Sequence, residues 1–169
     1  MIRKNELIFQ KDLSNKKIFV SRNFAAPRAN VWKAWTTSEL LDQWWAPQPF
    51  QTFTKAMQFK EGGFWLYYMQ GPDSTKMWAR IDYEKIDAED YFTQFNSFCD
   101  EDGKIDTHFS KMHGKNTFSN IEDGTKVEIE MTFEKVEDLH KLIEMGFELG
   151  FTAALNVLAQ TLKAQLKIS

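Results

Sequence analysis

One apolar stripe at helical spacing near the C-terminus constrains the fold more than any other feature of this chain. Its members recur at intervals of 4, 4, 3, 4 and 4 residues, which is the period of a single helix face. They are Phe147, Phe151, Leu155, Leu158, Leu162 and Leu166. A stripe of this length needs an equally long apolar surface to cover it. The sequence therefore predicts one nearly continuous helix over residues 147–166, packed against the rest of the protein.

Residues 51–134 show instead the two-residue alternation that is typical of antiparallel strands. The alternation is clearest in residues 126–134, where every second residue is apolar, so that one face is buried and the other is hydrated. Turn-forming Gly, Pro and Asp residues separate the candidate strands. These strands are residues 51–59, 63–70, 76–86, 91–98, 116–121 and 126–134.

A further strand and three short helices complete the predicted order of elements. The strand covers residues 17–25, and two short helices follow it at residues 29–36 and 38–44. A third short helix begins at Val136 and is interrupted by Gly146. The long helix must then cover the open face of the sheet, and a curved sheet would leave a cavity between them. The predicted fold class is α+β, with residues 1–16 as an N-terminal extension that can supply one edge strand and residues 17–169 as a single domain.

Composition and charge exclude several classes of protein. The chain has 24 acidic and 21 basic residues, and this balance lacks the basic face that nucleic-acid binding requires. The longest stretch without a charged residue covers residues 149–162, which is too short and too polar to span a membrane. Cys99 is the only cysteine, so no internal disulfide can form. Together with the absence of an apolar leader after Met1, this predicts a cytoplasmic protein.

Three motifs resemble a known superfamily. They are APRANVWKAWT followed by LDQWWAP at residues 26–47, GGFW followed by MQGPD at residues 62–73, and DGT at residues 123–125. These motifs are similar to those of the START-like (SRPBCC) superfamily, and more narrowly to the branch named for the activator of the heat-shock protein 90 ATPase. The resemblance implies a helix-grip fold, in which a curved antiparallel sheet wraps around a long C-terminal helix. It also implies a chaperone partner as one alternative function.

The sequence departs from that family pattern in two places. Ser74 and Ile81 stand where the family often has glycine, and Ile81 would fill space that glycine leaves open. We therefore expect a smaller or shifted cavity. The co-chaperone also carries a separate partner-binding domain for which this chain has no room, and this weakens the transfer of its activity.

The preferred hypothesis is the binding of a small hydrophobic or amphipathic molecule in the cavity, mainly through apolar burial and with few polar groups to orient it. No cofactor or metal is predicted. The two rival hypotheses are a protein-interaction module and a cyclase- or hydrolase-like enzyme. The candidate lining combines inward strand positions with the helix stripe: Trp44, Trp65, Tyr67, Met69, Ala79, Phe95, Phe147, Phe151 and Leu155.

Two aromatic features leave alternatives open. One ring of the Trp44-Trp45 pair could cover the cavity mouth, although a purely structural role is favoured because buried tryptophan most often serves packing. The strand around Phe64 and Tyr68 is apolar on both faces, which predicts a homodimer unless the N-terminal extension covers the outer face.

The signals for catalysis are weak. The three histidines lack metal-ligand spacing, and Cys99 lacks a Gly-rich turn beside it. Asp82 and Glu84 share a strand face and could act as acid and base, but a hydrated charged face explains them more simply. Binding is therefore favoured over catalysis.

Overall fold

The computed structural model describes residues 7–168, and within them one antiparallel sheet of eight strands curves around a long helix. The strands are β1 (Leu7–Asp12), β2 (Lys17–Phe24), β3 (Gln51–Met57), β4 (Phe64–Gln70), β5 (Lys76–Asp87), β6 (Tyr91–Phe98), β7 (Met112–Ile121) and β8 (Gly124–Phe133). The helices are α1 (Arg28–Thr36), α2 (Ser38–Trp44), α3 (Val136–Glu144) and α4 (Phe147–Ile168). The predicted α+β helix-grip fold is confirmed.

The strand order explains why the two short helices are where they are. The sheet runs β1-β2-β8-β7-β6-β5-β4-β3, so β2 lies near one edge and β3 forms the other. The chain between them must cross the width of the sheet, and α1 and α2 make this crossing over the inner face. The β1 strand supplies the edge strand of the N-terminal extension and pairs with β2. Residues 1–6 of the extension lie outside the described residues.

The long C-terminal helix buries its stripe as predicted. Leu155 and Leu158 are fully buried, and Leu162 is nearly so. The side chain of Leu166, the last member of the stripe, lies outside those that the structure describes. The opposing surface is the inner face of the sheet, where Ile18 and Val127 are also fully buried. The apolar faces of α4 and β8 therefore belong to one core.

A long polar excursion between β6 and β7, residues 99–111, covers part of the outer face of β4. A bridge between Cys99 and Ile105 folds residues 99–105 back on themselves. A Cβ atom on Gly103 would lie 3.8 Å from Leu66 Cδ2, and Leu66 is only 7% exposed. The excursion therefore buries one outward residue of β4, the strand that is apolar on both faces. The β1 strand of the N-terminal extension forms the opposite edge of the sheet, away from β4.

No single helix within residues 7–168 is long and apolar enough to cross a membrane. Taken together, α3 and α4 are long and apolar enough to cross a membrane by length and composition alone, but their axes differ by 64° at the break between them.

The turn between β7 and β8 gives a first test of the packing. A Cβ atom on Gly124 would lie 2.2 Å from the backbone oxygen of Phe24, which cannot move without disturbing β2. We expect Gly124→Ala to lower the free energy of unfolding by about 1–3 kcal/mol in urea denaturation. The matched control is Gly150→Ala in α4, where the new Cβ would lie 3.5 Å from Pro47. This control should be neutral or slightly stabilising, because alanine favours helix. Equal losses in the two variants would contradict the prediction.

Candidate functional site

A cavity of about 330 Å³ lies between the inner face of the sheet, the end of α2, α3 and the first turns of α4. Three of its lining residues, Phe50, Met77 and Met145, are between 39% and 52% exposed, and they mark its opening. Half of the 28 lining residues are aromatic or methionine. The aromatic members are Trp35, Trp45, Phe50, Tyr67, Phe98, Phe109, Phe133, Phe147 and Phe151.

Trp45 organises the aromatic wall. The residue follows the last residue of α2, and its ring makes edge contacts with Trp65 at 5.4 Å and with Phe151 at 6.1 Å between centroids. Its indole Nε1 donates a hydrogen bond of 3.0 Å to the hydroxyl of Tyr67. Burial raises the pKa of Tyr67 to about 12, so the phenol is neutral at physiological pH.

Five of the nine residues that the sequence predicts for the lining are brought together around this cavity: Tyr67, Met69, Ala79, Phe147 and Phe151. Trp65 lies behind them, with its ring stacked on Tyr67 at 4.0 Å and its Nε1 donating to Thr54 Oγ1. Trp44 and Leu155 are fully buried in the core and do not line the cavity. The predicted structural role of the tryptophan pair thus applies to Trp44, while Trp45 lines the cavity.

Phe95 requires a correction, because it lies on the opposite face of the sheet from the cavity. Its ring contacts that of His113, at 5.1 Å between centroids. Its neighbours Gln94 and Asn96 point inward instead, and both line the cavity. The β6 strand carries polar and aromatic residues on both faces, so its sequence contains no clear alternation that could have shown which face is buried.

The residues that sequence reasoning missed form a polar floor on β6 and β7. Asn116 Nδ2 donates to Gln94 Oε1 at 3.3 Å, and Gln94 Nε2 donates to Asn96 Oδ1 at 2.8 Å. Gly114 makes room for this arrangement, since a Cβ atom there would lie 3.3 Å from Gln94 Cγ. The cavity therefore has an oriented chain of amides at its floor, which differs from the expected lining with few polar groups.

Among the residues that the structure describes, one carboxylate lies in the cavity wall. Asp138 of α3 is 9% exposed and accepts hydrogen bonds from the backbone N–H of Ser110, at 3.1 Å, and from its hydroxyl. The bond from the Ser110 hydroxyl holds the pKa of Asp138 below its usual range, so this group stays ionised. The pair also ties the excursion after β6 to α3.

The candidate acid–base and nucleophilic residues lie elsewhere. Asp82 pairs with Arg80 at 2.6 Å, and Glu84 accepts a hydrogen bond from Thr93, on the outer face of the sheet. Burial raises the pKa of the Cys99 thiol to about 11, so it is protonated and a poor nucleophile at neutral pH. Within residues 7–168, no group of three or more His, Cys, Asp and Glu side chains is placed to hold a metal ion.

Solved structures share this fold over nearly the whole chain. A solution structure of a protein from Arthrobacter aurescens has a TM-score of 0.87 and 29% identity, covering 93% of this chain and 91% of that one. A second from Staphylococcus epidermidis has a TM-score of 0.82 and 29% identity, covering 93% and 94%. A crystal structure of a protein from Mycobacterium smegmatis has a TM-score of 0.86 and 24% identity, covering 93% and 97%.

The sequence comparison agrees with the fold. No curated protein matches the chain. The sequence pattern of one family, described as Activator of Hsp90 ATPase homolog 1-like protein, matches residues 25–163. This range includes all three motifs from which the resemblance was inferred, together with α1 to α3 and most of α4. The chain therefore belongs to the Activator of Hsp90 ATPase homolog 1-like family.

Proposed function

We propose that this protein binds one small, largely apolar or amphipathic molecule in the cavity and does not transform it. The observation that carries the proposal is the cavity itself. Its volume of about 330 Å³ falls at the lower end of the range that is typical of small-molecule sites, roughly 300–1,000 Å³. It opens to solvent at one end and is closed by the sheet at the other, so a ligand can enter and be largely buried.

The composition of the wall supports a ligand held by apolar contact. Five of the six methionines that the structure describes line the cavity: Met69, Met77, Met112, Met131 and Met145. Methionine is flexible and polarisable, and it favours contact with aromatic rings. The aromatic side chains supply rigid surface around it. A wall of this kind accommodates ligands of related but unequal shape.

The proposal is tested by titrating the protein with N-phenyl-1-naphthylamine, a neutral apolar probe whose fluorescence rises on burial. We expect saturable binding to the wild type.

Phe151 both lines the cavity and is 8% exposed. Because one side of its ring already faces open space, Phe151→Ala should cost less than the roughly 3–5 kcal/mol of a fully packed phenylalanine. The same variant should change the affinity for the probe while the fold persists.

Two results together would reject the proposal. The wild type would bind none of a panel of apolar probes, and Phe151→Ala would lower the free energy of unfolding by the full cost of a packed core phenylalanine in thermal and urea denaturation. In that case the cavity would be packing space, and the second candidate function would replace the first.

The second candidate is a protein-interaction module, and an aromatic patch on the outer face favours it. Tyr68 stacks on Phe53 at 5.1 Å and contacts Trp78 at 4.7 Å. Lys55 Nζ lies over the Trp78 ring and Lys76 Nζ over the Tyr68 ring. Phe53 is 37% exposed and belongs to an edge strand. The patch combines exposed aromatic area with positive charge, which suits an acidic partner surface such as that of a chaperone.

Two measurements address this candidate. Saturable binding to a purified heat-shock protein 90, weakened by Phe53→Ser, would support it. The homodimer predicted from the same strand is the other proposal for this patch. Light scattering that shows only the 19.8 kDa species at high concentration would reject the dimer.

We propose a cytoplasmic location because the single cysteine suits a reducing compartment.

A further inference from the structure

We propose that the ligand is a neutral amphiphile that enters with its polar end first, and that its carbonyl, hydroxyl or amide group binds the amides on the floor of the cavity. This inference rests on the proposed binding function and adds to it the chemical class and the orientation of the ligand. Long-chain carboxylates and other organic anions of the same size are excluded.

The amides of the floor have hydrogen-bond donors and an acceptor that they do not use with one another. Each Asn or Gln side chain carries one carbonyl acceptor and two N–H donors. The chain from Asn116 through Gln94 to Asn96 uses two acceptors and two of the six donors. Within the described residues, Asn96 Nδ2 and Asn116 Oδ1 make no further hydrogen bond to protein. Both residues line the cavity. A ligand oxygen could accept from Asn96, and a ligand N–H or O–H could donate to Asn116.

The register of the strands holds this floor in place. Asn116 is 2% exposed and Gln94 is 6% exposed, so neither amide can turn towards bulk water. Gln94 lies opposite Gly114 on β7, and the missing side chain of Gly114 lets the Gln94 amide cross towards Asn116. Because buried polar groups are almost always paired, a ligand without a polar atom would leave part of the floor unsatisfied. The floor therefore favours a polar head group over a hydrocarbon end.

The charges around the cavity exclude an anion. Among the described lining residues only Arg80 and Asp138 carry charge. The Arg80 guanidinium donates to Asp82 at 2.6 and 3.1 Å and to the Gly103 carbonyl at 2.9 Å, and it lies over the Phe64 ring on the outer face. These contacts hold the guanidinium on the outer face, away from the cavity. The nearest other cation, Lys141, lies 3.9 Å from Asp138, but its side chain is 52% exposed and its charge is hydrated. A ligand carboxylate would therefore be buried without a buried cation as partner, and it would also be repelled by the Asp138 carboxylate.

The exposed residues set the direction of entry. Phe50, Met77 and Met145 line the cavity and are each more than a third exposed, so the apolar rim is at the mouth. The amides lie on the closed side, on the central strands β6 and β7. A molecule with one polar end and one apolar end matches both regions only when the polar end is inside.

The experiment uses three ligands of nearly equal size in competition with N-phenyl-1-naphthylamine. They are 2-acetonaphthone, which is neutral with a carbonyl, 2-ethylnaphthalene, which lacks a polar group, and 2-naphthoic acid, which is anionic at pH 7.5. A purely apolar cavity would bind the ethyl compound most tightly, because the ketone loses its hydration on entry. We expect the reverse, with the ketone favoured by about fivefold, the effect of one hydrogen bond. The acid should bind at least about thirtyfold more weakly than the ketone.

Two variants assign these preferences to their residues. Asn96→Leu should remove the preference for the ketone over the ethyl compound, while Asn120→Leu, which changes an exposed asparagine of β7, should leave it unchanged. Asp138→Asn should strengthen binding of the acid relative to that of the ketone. Thermal melts of each variant establish that it is folded, and the wild-type ligand series tests the inference independently of them.

The outcomes separate this inference from the proposed function. If the ethyl compound or the acid binds the wild type as tightly as the ketone, the polar-end-first orientation is wrong and the binding function stands. If the probe and all three naphthalenes fail to bind, the binding function itself is overturned.

Discussion

Replacing Trp44 by alanine should lower the free energy of unfolding by about 3–5 kcal/mol, the cost of deleting a fully buried tryptophan. The Trp44 ring is wholly inaccessible and makes edge contacts with Trp35 at 4.7 Å and with Trp45 at 5.3 Å between centroids. Its Nε1 donates to the Ala34 carbonyl, which joins α2 to α1. Urea denaturation followed by far-UV circular dichroism measures the loss.

The neighbouring tryptophan is the matched control. Trp45 is half-buried and lines the cavity, so one side of its ring has no protein contact to lose. We expect Trp45→Ala to cost clearly less stability than Trp44→Ala and to weaken binding of N-phenyl-1-naphthylamine by at least about tenfold. If the two variants lose equal stability, or if Trp45→Ala binds the probe normally, the two rings do not have the different roles that we assign to them.

Replacing Ala79 by phenylalanine should abolish probe binding while the protein stays folded. Ala79 lies on the inner face of β5, between Tyr67 on β4 and Phe98 on β6, and lines the cavity. The added ring would enter existing space, so we expect a stability change below the roughly 1–3 kcal/mol of overpacking a filled core. We expect the affinity for the probe to fall more than about thirtyfold, because the ring competes directly for the ligand volume.

The control for this variant is Ala88→Phe in the exposed turn between β5 and β6, which adds the same side chain outside the cavity. It should bind the probe as the wild type does. An Ala79→Phe variant that binds the probe normally would mean that the ligand lies elsewhere. One that unfolds would mean that the cavity is not available to an added side chain.

Much of the architecture could be predicted because it depends on periods within single segments. The helix over residues 147–166 and the strand over residues 126–134 each show a repeat that only one secondary structure can satisfy, and the structure has α4 and β8 at those places. The three motifs also identified the family correctly. Agreement between local pattern and global fold is what a natural sequence is expected to show.

The cavity could be predicted only in part. The alternation of β4 placed Trp65, Tyr67 and Met69 on one face, and the structure places two of these in the lining and Trp65 behind them. The same logic failed for Phe95, because β6 has no alternating pattern to indicate which face is buried. Its inner face carries amides that are hydrogen-bonded to one another, so burial there does not require apolar residues.

The sequence by itself determined the elements, their order and the family, because helical and strand periods are properties of neighbours along the chain. Only the tertiary structure decided which residues face the cavity, which of two adjacent tryptophans is core, and what covers the outer face of β4. Each of these depends on contacts between distant segments, such as Gly114 beside Gln94, Trp44 against Ala34 and Gly103 over Leu66. Such contacts leave no periodic trace in the sequence, since the space that one segment leaves open is defined by another.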